Sequence, residues 1–238
     1  IEMMSLHVKN NLNIPQIGIF NKDVLVLTVE NVKKAILNAQ ANMQPVSVGT
    51  IRKELVGWNR NRRKGNVSVD QDLTITRFDS QDNEPLAVLV NWTAHPTFMG
   101  PEDMEFSGGW PGHLQRTMEA LFDSQVIVFY YNGAEGDQSP VSQIEYGSNW
   151  EQAESYGREL GILSWKLAQN IQTKPVNEIH HYTTSISLPE LTLHPKFMQT
   201  GGLEYGLNEE TAPYVIELLF PRTTSSTSVN IGDLMIIG

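Results

Sequence analysis

The sequence contains no cysteine. This absence excludes disulfide bonds, a thiolate nucleophile and cysteine zinc sites, and it leaves the redox compartment undecided. The chain also lacks any apolar run near the ~20 residues that a membrane-spanning helix needs. We find no internal repeat, no low-complexity tract and no heptad pattern.

Basic residues are scarce: 17 Lys and Arg stand against 27 Asp and Glu, which gives a formal net charge of −10. An acidic balance argues against general nucleic-acid binding. The acidic balance does not argue against a peripheral contact with a membrane, because an uncharged lipid can still be a substrate. The apolar content of 40% and the charged content of 18% are ordinary for a globular chain. The sequence gives no indication of the oligomeric state.

The 238 residues suffice for one large domain or two small ones. We expect a single domain over residues 1–238. The chain starts at Ile1 without a methionine and stops inside an apparent strand. We therefore expect the domain to be incomplete at both ends.

Two apolar runs organise the chain, LAVLV at residues 86–90 and QVIVFYY at residues 125–131. Continuous runs of this length are typical of buried strands in a covered sheet. A helix at residues 114–122 between them predicts a right-handed βαβ unit. We also predict helices in the second half of residues 23–41 and at 149–171, and strands at residues 1–7, 46–56, 73–78, 181–188 and 229–238. The resulting fold class is α/β, with a mixed, largely buried sheet, flanking helices and a site at the strand carboxyl ends.

Polar loops follow both apolar runs. His95 comes after the first run, where Pro96 is expected to end the strand. Ser139 lies in the glycine-rich loop after the second. Open α/β sheets bind ligands at this edge, so we expect His95 and Ser139 to share a site. A single histidine is nevertheless more often a structural residue than a ligand, and a serine before Pro140 also fits a turn cap.

The only basic cluster is GWNRNRRKG at residues 57–65. Charge alone favours a solvated loop. The alternative is a fork of guanidinium groups that holds an oxyanion or a carboxylate.

The segments NWTAHPT (91–97), FSGGWPG (106–112) and GDQSP (136–140) resemble, in their order, the motifs of the neutral/alkaline non-lysosomal ceramidase family, in its amino-terminal domain. Asn59-Arg60, ANMQP (41–45) and IGDL (231–234) fall in the same order. The resemblance covers most of the chain.

The resemblance implies a zinc amidase that hydrolyses the N-acyl bond of a ceramide-like lipid, and a secreted or cell-surface location, with a cytoplasmic one left open. It implies that His95 is a zinc ligand, that Ser139 contacts the substrate and that Arg60 lines the same pocket. The family's other histidine lies in a Thr-His-Thr-His-Ser segment that this sequence lacks. His7 is the candidate for that ligand, and the family's Glu and Tyr ligands are expected beyond Gly238.

Zinc chemistry is consistent with these residues. Zinc takes about three or four nitrogen or oxygen ligands and keeps a position open for water in a catalytic site. It lowers the pKa of bound water towards ~7 and polarises a carbonyl. Two other readings stay open: a hydrolase of another amide or ester, and a non-catalytic lipid- or sugar-binding relative. The non-catalytic alternative stays open because the His segment is missing and because Gly109 stands where many relatives carry Asp.

Overall fold

The computed structural model describes residues 21–63, 65–103, 105–191 and 221–238, together with residues 196, 210, 213 and 214. The chain divides into two compact units, one of Ile1–Met43 with Thr183–Thr227, the other of Gln44–Tyr182 with Ser228–Gly238. The predicted strand at residues 1–7, with His7, lies outside the described residues. The single domain over residues 1–238 stays a prediction.

Three helices and ten strands are described in this part of the chain. The helices are α1 (Lys22–Ala41), α2 (Gly109–Leu121) and α3 (Asn149–Ala168). The strands are β1 (Ser47–Glu54), β2 (Asn59–Asn61), β3 (Asp72–Asp79), β4 (Pro85–Trp92), β5 (Ile127–Asn132), β6 (Gln138–Pro140), β7 (Lys174–Pro175), β8 (Ile179–Ser187), β9 (Thr223–Ile231) and β10 (Leu234–Ile237). None of the helices described is long and apolar enough to cross a membrane.

The central sheet has five strands in the order β5-β4-β3-β1-β7. β4 and β5 are parallel, with Val90 opposite Tyr130, while β3 and β4 form an antiparallel hairpin, with Ile75 opposite Val90. α2 lies between the parallel strands β4 and β5 in the chain, so a βαβ unit is confirmed, and its right-handedness stays a prediction. The α/β class with a mixed sheet and flanking helices is confirmed as well. β8, β9 and β10 form a separate three-stranded sheet.

The core covers one face of the central sheet. Val88, Val90 and Trp92 alternate along β4 and are fully buried. They belong to one cluster with residues of α2 and α3, including Trp110, Leu114, Met118, Tyr156 and Leu160. On β5, by contrast, Ile127 and Phe129 are 58% and 52% exposed. β5 lies at one edge of the sheet, and the exposure of these alternate residues shows that its continuous apolar run does not mark burial on both faces.

α3 begins at a capping box that explains its sharp start. The Ser148 backbone N–H donates to Glu151 Oε2 at 2.8 Å, and the Glu151 backbone N–H donates to Ser148 Oγ at 3.3 Å. Gly157 then lets α3 approach α2 closely, because a Cβ there would collide with the Trp110 carbonyl. The capping box thus sets the start of α3, and the glycine allows its close packing against α2.

A buried ion pair joins the sheet to the end of α3. Arg77 Nε donates to Asp79 Oδ1 at 2.8 Å, and the two side chains are only 13% and 1% exposed. Arg77 also donates to the carbonyls of Ala168 at 2.6 Å and Ile171 at 3.0 Å. The carbonyls at a helix carboxyl end lack partners within the helix. Arg77 therefore supplies hydrogen-bond donors both to the end of α3 and to the buried Asp79 carboxylate.

Arg77→Ala is expected to lower the free energy of unfolding by about 3 kcal/mol, because it leaves the Asp79 carboxylate buried and the helix end without its donor. Arg52→Ala is the matched control, since Arg52 pairs with Asp72 but its side chain is 68% exposed. That substitution is expected to cost less than ~1 kcal/mol. Urea unfolding of both variants measures the difference, and equal losses would contradict the structural role of the buried pair.

Candidate active site

A two-stranded ladder of β2 and β6 carries two of the residues singled out in the sequence. The strands are antiparallel, with Arg60 directly opposite Ser139. Residues directly opposite in such a ladder project their side chains from the same face. Bonds from the Arg62 N–H to the Asp137 carbonyl, at 2.7 Å, and from the Val141 N–H to the Trp58 carbonyl, at 2.9 Å, extend the ladder at both ends. The basic cluster is thus a short strand in part, and not only a solvated loop.

His95 is attached to the same ladder. Its backbone N–H donates to the Gln138 carbonyl at 3.2 Å, and its ring Nδ1 also lies 3.2 Å from that oxygen. A carbonyl oxygen only accepts, so Nδ1 carries a proton, and in the neutral imidazole Nε2 then has a free lone pair. The carbonyl that holds His95 immediately precedes Ser139. The structure therefore brings His95, Ser139 and Arg60 together at one ladder, while their chemical roles stay predictions.

Bonds to backbone carbonyls fix the loop that carries His95. Asn59 Nδ2 donates to the Thr93 carbonyl at 2.7 Å and to the Asp70 carbonyl at 2.5 Å. Thr93 Oγ1 donates to Asp70 Oδ2 at 2.7 Å. Gly133, which follows β5, packs so closely that a Cβ there would collide with Thr93 Oγ1. The glycine is required for this close approach of the two loops.

Buried aromatic side chains form the floor of the site. Trp92 Nε1 donates to the Tyr156 hydroxyl at 2.8 Å, and that hydroxyl donates to the Trp58 carbonyl at 2.9 Å. Trp110 stacks edge-on against Tyr156, with ring centroids 5.2 Å apart, and its Nε1 donates to the His95 carbonyl at 3.3 Å. Burial raises the pKa of Tyr156. Its hydroxyl therefore stays protonated, and it connects Trp92 at the end of β4 with Trp58 just before β2.

Glu135 is a site residue that the sequence interpretation missed. Its Oε1 lies 3.8 Å from His95 Nε2, and Asn132 Nδ2 donates to the same oxygen at 2.9 Å. Its Oε2 is buried and, within the described part of the chain, has no hydrogen-bond partner. Burial raises the pKa of Glu135, against the opposing charges of His95 and Arg62. The available signal was a carboxylate in the glycine-rich loop that follows the second apolar run.

Asp137 plays a structural part. Gln138 Nε2 donates to its Oδ1 at 2.6 Å, and Asn61 Nδ2 donates to its Oδ2 at 2.7 Å. These bonds from Gln138 and Asn61 lower the pKa of Asp137. Both oxygens are therefore engaged in holding the β2–β6 ladder, and Asp137 is poorly suited to take a proton from Ser139.

The donor atoms that face each other suit part of a zinc site. His95 Nε2 and the Glu135 carboxylate are both ligand types that zinc accepts. No group of three His, Cys, Asp or Glu side chains gathers as a metal site among residues 21–63, 65–103, 105–191 and 221–238. His7 lies outside these ranges, so its predicted role as a ligand is untested.

Two solved structures with a similar fold are ceramidases. A neutral ceramidase from Pseudomonas aeruginosa matches with a TM-score of 0.66 at 18% identity, over 92% of this chain and 44% of that chain. A ceramidase complexed with C2 matches with a TM-score of 0.61 at 16% identity, over 85% of this chain and 42% of that chain. No family model and no curated protein matches the chain.

These likenesses confirm, at the level of the fold, the resemblance that the motifs indicate. The chain spans less than half the length of the two ceramidases. An identity below one fifth shows a shared fold but does not transfer an activity. Function must therefore be argued from the residues at the β2–β6 ladder.

Proposed function

We propose that this chain carries a ceramidase-like hydrolase site, which cleaves the N-acyl amide bond of a ceramide-like lipid with the help of zinc. The observation that carries the proposal is the convergence of His95, Ser139 and Arg60 on one short ladder. These three residues lie in motifs that resemble the ceramidase family, and the fold is the one that neutral ceramidases share. The lipid-like substrate and the zinc ion belong to the proposal.

Each residue has a role that its surroundings support. His95 holds the metal through Nε2, because Nδ1 is occupied by the Gln138 carbonyl. When bound, zinc polarises the amide carbonyl and makes water a stronger nucleophile. The Ser139 hydroxyl donates a hydrogen bond to the carbonyl oxygen as that oxygen gains negative charge.

Arg60 lies on the same face of the ladder as Ser139, and its side chain is exposed. No hydrogen bond or ion pair engages the Arg60 guanidinium within the described residues. A free guanidinium donates two parallel hydrogen bonds to an oxyanion or a carboxylate. Arg60 is therefore available to bind the reacting carbonyl oxygen or the fatty-acid product.

The test is hydrolysis of a fluorescent short-chain ceramide by the purified 238-residue chain. We expect release of the fatty acid, loss of activity with phenanthroline, and recovery with Zn²⁺ but not with Mg²⁺, because nitrogen ligands favour zinc. An ester with the same acyl chain is the matched substrate. Cleavage of the ester with no cleavage of the amide would favour a different hydrolase, and lipid binding with no hydrolysis in the presence of Zn²⁺ would contradict the enzymatic proposal.

A further inference from the structure

The Glu135 carboxylate is poorly explained by the protein groups around it. Its side chain is 20% exposed, it faces His95, and its Oε2 is buried without a partner in the described part of the chain. A buried carboxylate oxygen without a donor is unfavourable, because it loses its hydration and gains nothing in return. A cation at this oxygen would supply the missing interaction.

The spacing between Glu135 and His95 suits two ligands of one ion. Oε1 lies 3.8 Å from His95 Nε2, which is too long for a hydrogen bond. Two nitrogen or oxygen atoms bound to one tetrahedral zinc at ~2.0–2.2 Å lie about 3.3–3.6 Å apart. The two atoms therefore need to move only slightly closer to each other to bind one ion.

The two carboxylates of the loop after β5 differ in how their oxygens are engaged. Both oxygens of Asp137 accept hydrogen bonds from neighbouring amides, at 2.6 and 2.7 Å. Glu135 accepts from Asn132 on Oε1 only, and the Asn132 oxygen in turn lies 2.6 Å from the Tyr130 hydroxyl. A metal-bound carboxylate commonly keeps one oxygen on a hydrogen bond that orients the other. Glu135 has this arrangement and Asp137 does not.

We propose that Glu135 is a ligand of the same divalent metal as His95, binding it through its carboxylate. The inference rests on the proposed function, because it concerns the metal assigned there to His95. It adds a ligand on the loop four residues before Ser139, separate from the Glu that the family resemblance places beyond Gly238.

The experiment measures zinc affinity by competition with a chromophoric chelator, using the 238-residue chain and its Glu135→Gln, His95→Ala and Glu145→Gln variants. Glu135→Gln keeps the shape of the side chain and removes its charge. Glu145 is an exposed carboxylate bonded to Tyr146, which makes Glu145→Gln the matched control. We expect Glu135→Gln to weaken zinc binding at least ~10–100-fold, and Glu145→Gln to leave it unchanged.

Cobalt(II) substituted for zinc provides a second readout, because its visible absorption depends on the number and type of ligands. The spectrum is expected to change in Glu135→Gln and to stay the same in Glu145→Gln. If Glu135→Gln loses its fold by circular dichroism, Glu135→Asp replaces it, since the shorter carboxylate keeps the charge and shortens the reach. We expect weaker binding and an altered spectrum there as well.

The outcomes separate the two proposals. If the unaltered chain binds zinc and His95→Ala abolishes binding, but Glu135→Gln keeps both affinity and cobalt spectrum, the Glu135 assignment is wrong and the proposed function stands. If the unaltered chain binds no zinc, the zinc-dependent function and the Glu135 assignment fail together. A loss confined to His95→Ala and Glu135→Gln supports both.

Discussion

His95→Ala is expected to remove the bound metal and to lower the amidase rate by about 10³-fold or more. The imidazole is the only histidine at the β2–β6 ladder among the described residues, and its Nδ1 is held by the Gln138 carbonyl. This bond fixes the tautomer and aims Nε2 at the ion. Losing the metal forfeits several kcal/mol of transition-state stabilisation, of which ~4 kcal/mol corresponds to the stated factor.

His180→Ala is the matched control for this prediction. His180 Nε2 lies 3.4 Å from Glu178 Oε2, so it also forms a histidine–glutamate pair, but the two side chains are 71% and 76% exposed. We expect His180→Ala to keep full zinc content and full activity. Elemental analysis and initial rates on the same preparations provide both measurements. Full zinc content and full activity in His95→Ala would show that His95 is a structural residue.

The order of elements around the site could be predicted because it rests on local sequence patterns. The apolar runs before His95 and before the Ser139 loop gave β4 and β5, and the pattern between them gave α2. Pro96 correctly indicated that the first strand ends before the loop, although β4 already ends at Trp92. The capping residues Ser148 and Glu151 fixed the start of α3 at the expected position.

The β2–β6 ladder could not be predicted, because each of its strands has only three residues. Strands this short form through their partner and not through their own propensity. The register that places Arg60 opposite Ser139 depends on Asn59, which binds two backbone carbonyls far away in the chain. Long-range contacts of this kind leave no periodic signal in the sequence.

Glu135 could not be identified from the sequence as a site residue, for a related reason. Glu135 stands out because one of its carboxylate oxygens is buried without a donor. It also lies close in space to His95, which is forty residues away in the chain. In the sequence it is one of several acidic residues in a polar loop, and only the packing of Gly133 against Thr93 brings that loop to the histidine. Motif order indicated the region of the site, whereas tertiary packing decided which side chains face each other.

Water, and not Ser139, is expected to attack the amide carbonyl. A serine nucleophile needs an adjacent base that is itself oriented by a third group. Among the described residues, no histidine or carboxylate forms a hydrogen bond with the Ser139 hydroxyl. In the proposed mechanism His95 has no nitrogen left for this task, because Nδ1 is bound to the Gln138 carbonyl and Nε2 holds the metal. Asp137 is engaged through both of its oxygens.

Ser139→Ala is therefore expected to lower kcat by about 10²–10³-fold, which is typical of losing one oxyanion donor, and to leave measurable activity. Ser139→Thr, which keeps a hydroxyl, is expected to recover part of the rate. Zinc content should be unchanged in both variants, because the serine is not a ligand in this mechanism.

Early quenching of the unaltered chain with a short-chain amide substrate, followed by mass spectrometry, tests the mechanism directly. We expect no acyl group on the peptide that contains Ser139 at any time before the steady state. A stoichiometric acyl adduct on that peptide would show covalent catalysis and refute attack by water. Such an adduct would also require a base for Ser139. Because Nδ1 of His95 is bound to the Gln138 carbonyl and Nε2 is assigned to the metal, this base would have to be a His95 without its metal or a residue outside the described part of the chain.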